Sequence, residues 1–408
     1  MKIGRRYLLV VVALCGLSMA TVGLITNVSG LFFTPMAEEF GIMRGAASMT
    51  LTIANICVAL GGLATRRLTK AMPLRVLLIA GTTVLAGSTL LLALAPSIAV
   101  AYALSATKGI AGGIIGFVLI TYVLNKWFVA KLGLVTSIAM GMSGLAAALF
   151  TPVIQPVVEG SGWRAGMMLV AALQAALCLP AILFVPSTDP ESAGMRPFGL
   201  AANKETVSAH ADRTKPAKVD KLVFVGVVGY AVLAAAVSAM PQHFPGYAEE
   251  AGLALAVGAT MISVCMVANT AGKSVMGWLT DRIGALASNI AYTLLVALSI
   301  VALLFLHAPV VFLAAAFFFG LCYSRATVGL TMMCREIFGK RGFGIVYPVA
   351  AMGASVSNAI FSAGVGFAFD LTGGYTSSLV MFLVFLVGSV ALMLWCYSRA
   401  VRGTGAIE

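Results

Sequence analysis

The sequence predicts an all-α membrane protein with twelve transmembrane helices in two pseudo-symmetric six-helix halves, and three observations lead there. Hydrophobic residues make up 61% of the 408 and charged residues only 10%, with a mean hydropathy of +1.03. Soluble globular domains do not have this composition. Apolar runs of about 20 residues recur a dozen times, each long enough at 1.5 Å per residue to cross a hydrocarbon core about 30 Å thick. A polar stretch, Pro186 to Asp220, separates the sixth run from the seventh.

In chain order the expected spans are 7–31, 44–64, 74–95, 97–124, 132–156, 165–185, 221–241, 254–279, 286–306, 309–334, 343–368 and 376–398. The first follows Lys2, Arg5 and Arg6 but is too long for a signal peptide and lacks a small-x-small cleavage site, so it is read as a retained helix. Pro35, Pro152, Pro156 and Pro348 fall where they can kink spans, as prolines commonly do in membranes. The segment between spans six and seven carries Pro190, Pro197 and Pro216 with charges of both signs, and its composition does not supply a core. The division is therefore 1–185, a linker at 186–220, and 221–408.

Internal echoes support two related halves. Gly61-Gly62-Leu63-Ala64-Thr65-Arg66 resembles Gly277-Trp278-Leu279-Thr280-Asp281-Arg282. Glu159-Gly160-Ser161-Gly162-Trp163-Arg164 answers Asp370-Leu371-Thr372-Gly373-Gly374-Tyr375 at an offset of 211, and Phe128 and Lys131 match Phe338 and Arg341 at 210. Paired halves of this kind place a substrate site near the bilayer midplane and alternate its access by rocking.

Net charge is +12, yet the placement of the cations excludes a nucleic-acid footprint. With both termini inside, inner segments hold 21 of the 26 Lys and Arg, while outer loops hold only Arg44 and Arg164. This is the positive-inside pattern. It predicts a multi-pass protein of the cell's inner (plasma) membrane with cytoplasmic termini. The seven cysteines are scattered singly, and the histidines fall in the linker (His210) and near the outer face (His243, His307), so neither a metal site nor a disulfide framework is expected.

The remaining three cations, Lys108, Lys273 and Arg325, sit mid-span with no Asp or Glu in the spans to accompany them. A Lys or Arg at the centre of a membrane helix costs about 2.5–3.5 kcal/mol on insertion scales and usually faces a bundle interior or wet cavity. Unpaired cations there ask for an anion. Lys273 shares a helix face with Asn269 and Gly277; the bland alternative is snorkelling to the inner interface. Arg325 lies one residue off the polar stripe Ser324, Thr327 and Thr331, as a second anion contact or as a structural cap on carbonyls. Lys108 adjoins Gly109, Gly112, Gly113 and Gly116, which suits close helix packing and electrostatic tuning as well as direct contact. Thr26, Asn27, Asn55, Tyr323 and Thr327 are neutral candidates for lining the site, with interhelical hydrogen bonding as the competing role.

These residues resemble the major facilitator superfamily. Gly277, Asp281, Arg282 and Gly284 complete its Gly-x-x-x-Asp-Arg-x-Gly signature, in which the acid and arginine clamp neighbouring helices in one conformation. The first-half copy departs from it, with Thr65 for the acid and Leu68 for the second glycine. Within the superfamily, Gly30-x-Phe32-x-x-Pro35 with Phe40-Gly41, Asn125-Lys126-Trp127-Phe128, and Asp370 to Tyr375 resemble the monocarboxylate and oxalate/formate antiporter branch. That resemblance implies that Lys273, eight residues before Asp281, takes the place of the branch's carboxylate-binding arginine, though as a point charge without the bidentate fork. The branch's helix-eleven lysine is missing from 343–368, which argues against oxalate.

The expectation is a secondary transporter of a small organic anion, most simply a carboxylate, working by anion exchange. Proton-coupled monocarboxylate symport and carriage of organophosphates or inorganic anions are the alternatives. Glycine motifs in spans five and eleven lack the Asn of nitrate carriers, no P-loop occurs, and no cluster of acids or histidines suggests an enzyme. The expected partners are the substrate and the lipid bilayer, with no cofactor, no nucleic acid, and the chain acting as a monomer.

Overall fold

The computed structural model describes residues 4–129, 132–199, 220–306 and 308–404. Lys2, Lys131, His307 and, within the linker, Lys204, His210, Arg213, Lys215 and Lys218 lie outside the described residues.

The described chain is nearly all helix: α1 (Arg5–Ser18) runs on as a π-helical segment, Met19–Asn27, and is followed by α2 (Gly30–Phe40), α3 (Arg44–Ala71), α4 (Leu74–Ala93), α5 (Ile98–Ile115), α6 (Phe117–Trp127) and α7 (Leu132–Phe184). After the linker come α8 (Lys221–Val237), a 3₁₀ turn at Met240–His243, α9 (Phe244–Glu250), α10 (Leu255–Phe305), α11 (Pro309–Phe319), α12 (Cys322–Ser324), a π-helical turn at Arg325–Gly329, α13 (Leu330–Thr372) and α14 (Thr376–Thr404). No strand is named among the described residues; a lone bridge joins Phe128 to Phe198.

Ten helical stretches among these residues are long and apolar enough to cross a membrane, and two of them, Leu134–Phe184 and Leu255–Phe305, are 51 residues long. At 1.5 Å per residue each of these would reach about 76 Å, more than twice a hydrocarbon core. Each turns at one non-helical glycine, Gly162 (φ 83°, ψ 165°) and Gly284 (φ 82°, ψ 163°), so each holds two spans, in keeping with twelve. Only glycine occupies that backbone region readily.

The chain folds as two compact units, one of Met1–Phe40 with Thr50–Thr214 and one of Gly41–Met49 with Lys215–Glu408. The first packs Val10, Leu14 and Leu17 of α1 against Ile115, Ile120, Val123 and Trp127 of α5 and α6. The second packs Val223, Val227 and Tyr230 of α8 against Met333, Cys334, Val346 and Met393. Large side chains such as Leu63, Val310 and Val387 stay exposed along the helices, which suits a surface whose solvent is lipid.

The linker's first residues depart from the expectation of a segment without a core. Phe198 is buried with Trp127 and Phe128, its N–H donates to Trp127 O (2.8 Å), and its carbonyl accepts from Val129 N (2.9 Å). Tyr7 packs edge-on to all three rings and donates to Arg196 O. One aromatic residue placed beside three others docks a polar segment whose average composition conceals it.

The outer echo at offset 211 is structural in both units. In the first, Glu39 at the end of α2 accepts from Trp163 Nε1 and Arg164 Nε, and Arg164 also donates to Ala93 O and Ala95 O. In the second, Glu250 at the end of α9 accepts from Tyr375 N (3.0 Å). Glu250 follows Glu39 by that same 211 residues.

Candidate functional site

In the first unit, Thr26 Oγ1 donates to Asn55 Oδ1 (3.0 Å), both side chains half-buried. Asn27 is buried and committed to packing, donating from Nδ2 to Ser143 O (2.9 Å). Lys108 is buried on α5 and forms no ion pair among the described residues. Its glycine neighbours form a packing seam: a Cβ on Gly109 would lie 2.3 Å from Ala54 O, and one on Gly113 2.1 Å from Val58 O. The seam of Gly109 and Gly113 brings α5 against α3, whereas Gly112, one turn on from Lys108 and on its face, lies against Ile25 of the first helix.

In the second unit, Lys273 projects from α10, half-buried and without an ion-pair partner among the described residues. Gly277, one turn on, has nothing within 4 Å of where a Cβ would sit. This leaves the expected gap in side-chain bulk along the face. Asn269, one turn back, is buried, with Nδ2 against Met266 Sδ (3.6 Å) and Oδ1 unpartnered. The backbone beside Lys273 is held by Tyr292, whose hydroxyl donates to Gly272 O (2.8 Å), and by Ser324 and Leu321 packed on Gly272. The polar stripe satisfies itself, for Thr327 Oγ1 donates to Tyr323 O and Thr331 Oγ1 to Thr327 O. Thr327 is exposed, and Tyr323 shares a side-chain hydrogen bond with Gln242.

Arg325 does not join that stripe. Fully buried, it donates from Nη2 to Ser389 Oγ on α14 (2.8 Å). The structure thus keeps Lys273 and Asn269 on one helix face and turns Arg325 toward the last helix.

The signature residues lie at the turn between spans eight and nine. Asp281 and Arg282 are exposed, Arg282 stacks its guanidinium 4.5 Å from the Trp278 ring, and Gly284 makes the turn. The residue that ties this turn to its neighbours is Glu336, which accepts from Ala285 N (2.9 Å) and Tyr397 Oη (2.7 Å). In the first-half copy, Thr65 Oγ1 donates to Ile114 O (3.0 Å) where the signature has an acid.

Sequence reasoning missed a polar cluster in the second unit. Both carboxylate oxygens of Asp370 accept from the first backbone N–H groups of α3, Arg44 (3.0 Å) and Gly45 (2.7 Å), while Arg44 pairs with Glu249 (3.0 Å) and covers the Phe369 ring. A carboxylate at a helix start is favoured by the unpaired N–H groups and the helix dipole. The hint was Asp370 itself, opening one of the echoes. No group of three or more His, Cys, Asp or Glu able to hold a metal occurs among the described residues.

A family model described as Major Facilitator Superfamily matches residues 14–362. Monocarboxylate transporter 12 of Mus musculus is 24% identical over 288 residues, covering 63% of this chain and 58% of that protein; the Rattus norvegicus protein of the same name is 25% identical over 289, with the same coverage. The chain therefore spans less than two thirds of those relatives' length. Among solved structures, a bacterial homolog to the human lysosomal transporter Spinster, in an inward-facing and occupied conformation, superposes with a TM-score of 0.71 at 15% identity over 98% of both chains. Its unoccupied inward-facing form gives 0.68.

Proposed function

From the premise that this chain belongs to the major facilitator superfamily, and is thus a membrane transporter, we propose that it carries a small organic anion, most simply a monocarboxylate, with Lys273 as the main counter-ion. The observation that carries the reading is Lys273 itself: a half-buried ammonium in a membrane helix, unpaired among the described residues, beside the open side of Gly277. A lone charge there is costly, and a carboxylate offsets that cost. The similarity to proteins named monocarboxylate transporter 12 points to the same substrate class.

Asn269, Tyr323 and Thr327 are the neutral contacts proposed for the second unit, and Thr26, Asn55 and Lys108 are proposed in their own right for the first. Asn27 serves packing more than binding. Exchange of one anion for another is the proposed mode, because no Asp or Glu falls within the expected spans to relay a proton. The charge asymmetry supports a plasma-membrane location with cytoplasmic termini, and the chain is proposed to work as a monomer.

The test is uptake of labelled monocarboxylates into proteoliposomes. Lys273→Ala is expected to abolish uptake and Lys273→Arg to retain part of it. Wild-type rates for Lys273→Ala would sink the assignment.

A further inference from the structure

Arg325 opens the π-helical turn Arg325–Gly329 and is fully buried inside the second unit. A guanidinium carries five N–H donors and keeps its charge in proteins. Here one bond is made, from Nη2 to Ser389 Oγ (2.8 Å), while Nε and Nη1 have no partner. The hydroxyls beside it are neutral and give their protons elsewhere. Ser389 donates to Leu386 O (2.7 Å), and Tyr230, itself buried, donates to Asn289 Oδ1 (2.6 Å) and approaches Arg325 O (3.4 Å).

No acid among the described residues balances the charge. Among the described residues, the second unit's acids are Asp220, Glu249, Glu250, Asp281, Glu336 and Asp370, all at helix ends, and none pairs with Arg325. Removing one partner from a buried charge is strongly destabilising, so a buried cation with two free donors calls for a compensating charge. The π-helical turn is a second and separate sign, since such turns have poorer geometry and recur at functional sites.

We propose that Arg325 binds a small monovalent anion within the second unit, at a site separate from Lys273. One enclosed positive charge calls for one negative charge, and full enclosure calls for a compact ion. A halide and the carboxylate of a transported molecule share this chemistry, and the experiment distinguishes them.

The purified full-length protein in detergent is unfolded thermally in sodium chloride, bromide, gluconate or acetate at equal ionic strength. Anything that binds only the folded state raises its melting temperature. Chloride and bromide are expected to raise it by several degrees over gluconate, in the wild type and equally in Lys273→Ala, with no rise in Arg325→Met. A rise in acetate alone that Arg325→Met removes would identify the ion as a carboxylate at the same site. Equal melting temperatures in all four salts, or a halide effect that survives Arg325→Met, would overturn the proposal, whereas an acetate effect that survives Arg325→Met but not Lys273→Ala belongs to Lys273. Should Arg325→Met fail to fold, Arg325→Lys decides: a halide midpoint shifted to higher concentration supports the site, and an unchanged midpoint refutes it. Because the readout is stability and Lys273→Ala is expected to keep the effect, this proposal and the transport reading fail separately.

Discussion

Glu39 shows how much one side chain can organise at the outer end of the first unit, where cations are few. It takes hydrogen bonds from Arg164 and Trp163, and Arg164 is anchored in turn on Ala93 O and Ala95 O. The Arg164 hydrogen bond is the chief reason its carboxyl sits below the ordinary range; desolvation opposes it, and Trp163 adds to it. A carboxyl with a lowered folded pKa stabilises above its unfolded value, near 4.3 for Glu, and the benefit is lost as pH falls through the folded one. The melting temperature of Glu39→Gln should therefore fall below wild type at neutral pH and converge with it on acidification below about pH 4. Because the pair is largely exposed, the difference should correspond to under about 1 kcal/mol. A gap that widens with acid would contradict this. Asp370 makes a comparable case in the second unit: Asp370→Asn keeps one acceptor oxygen at the start of α3 and should cost about 1 kcal/mol, read as a lower midpoint of thermal unfolding.

Among the elements, the spans depend on where glycine stands. Gly162 and Gly284 break two 51-residue helical stretches into pairs of spans, at φ values of 83° and 82°. Alanine at Gly284 should cost about 1–3 kcal/mol of stability, measured by thermal unfolding, because its Cβ strains that backbone. Gly160 has open space around it and no positive φ, so Gly160→Ala should be near neutral. The α5 seam is a matter of volume: Gly113→Val would press against Val58 O, which is backbone and cannot swing aside, and should lower the yield of folded protein. The glycines were legible in the sequence as a small-residue run beside Lys108. Their partner helix was not, because spacing along one helix says which face is small and nothing about what fills the groove.

For the whole molecule, the test is coupling. Preloading vesicles with unlabelled monocarboxylate should accelerate uptake if exchange is the mode. No acceleration, together with dependence on an inward proton gradient, would favour symport. Much of the architecture was readable beforehand, since hydropathy sums over about 20 residues and the echoes need only one strand of text. The candidate site was readable in part. Lys273 with the gap at Gly277 follows from helical periodicity alone, but Arg325, one residue off the polar stripe, was expected near it and instead reaches Ser389, 64 residues away. Likewise, Glu336 at the Ala285 turn and Phe198 on the Trp127 cluster were invisible in composition. The sequence by itself determined that the chain crosses a membrane many times and that its mid-span charges are all positive, because these are sums over local segments. Which of those cations is left open and which is shut between helices only the tertiary structure decided, because a helix face acquires its meaning from the face packed against it.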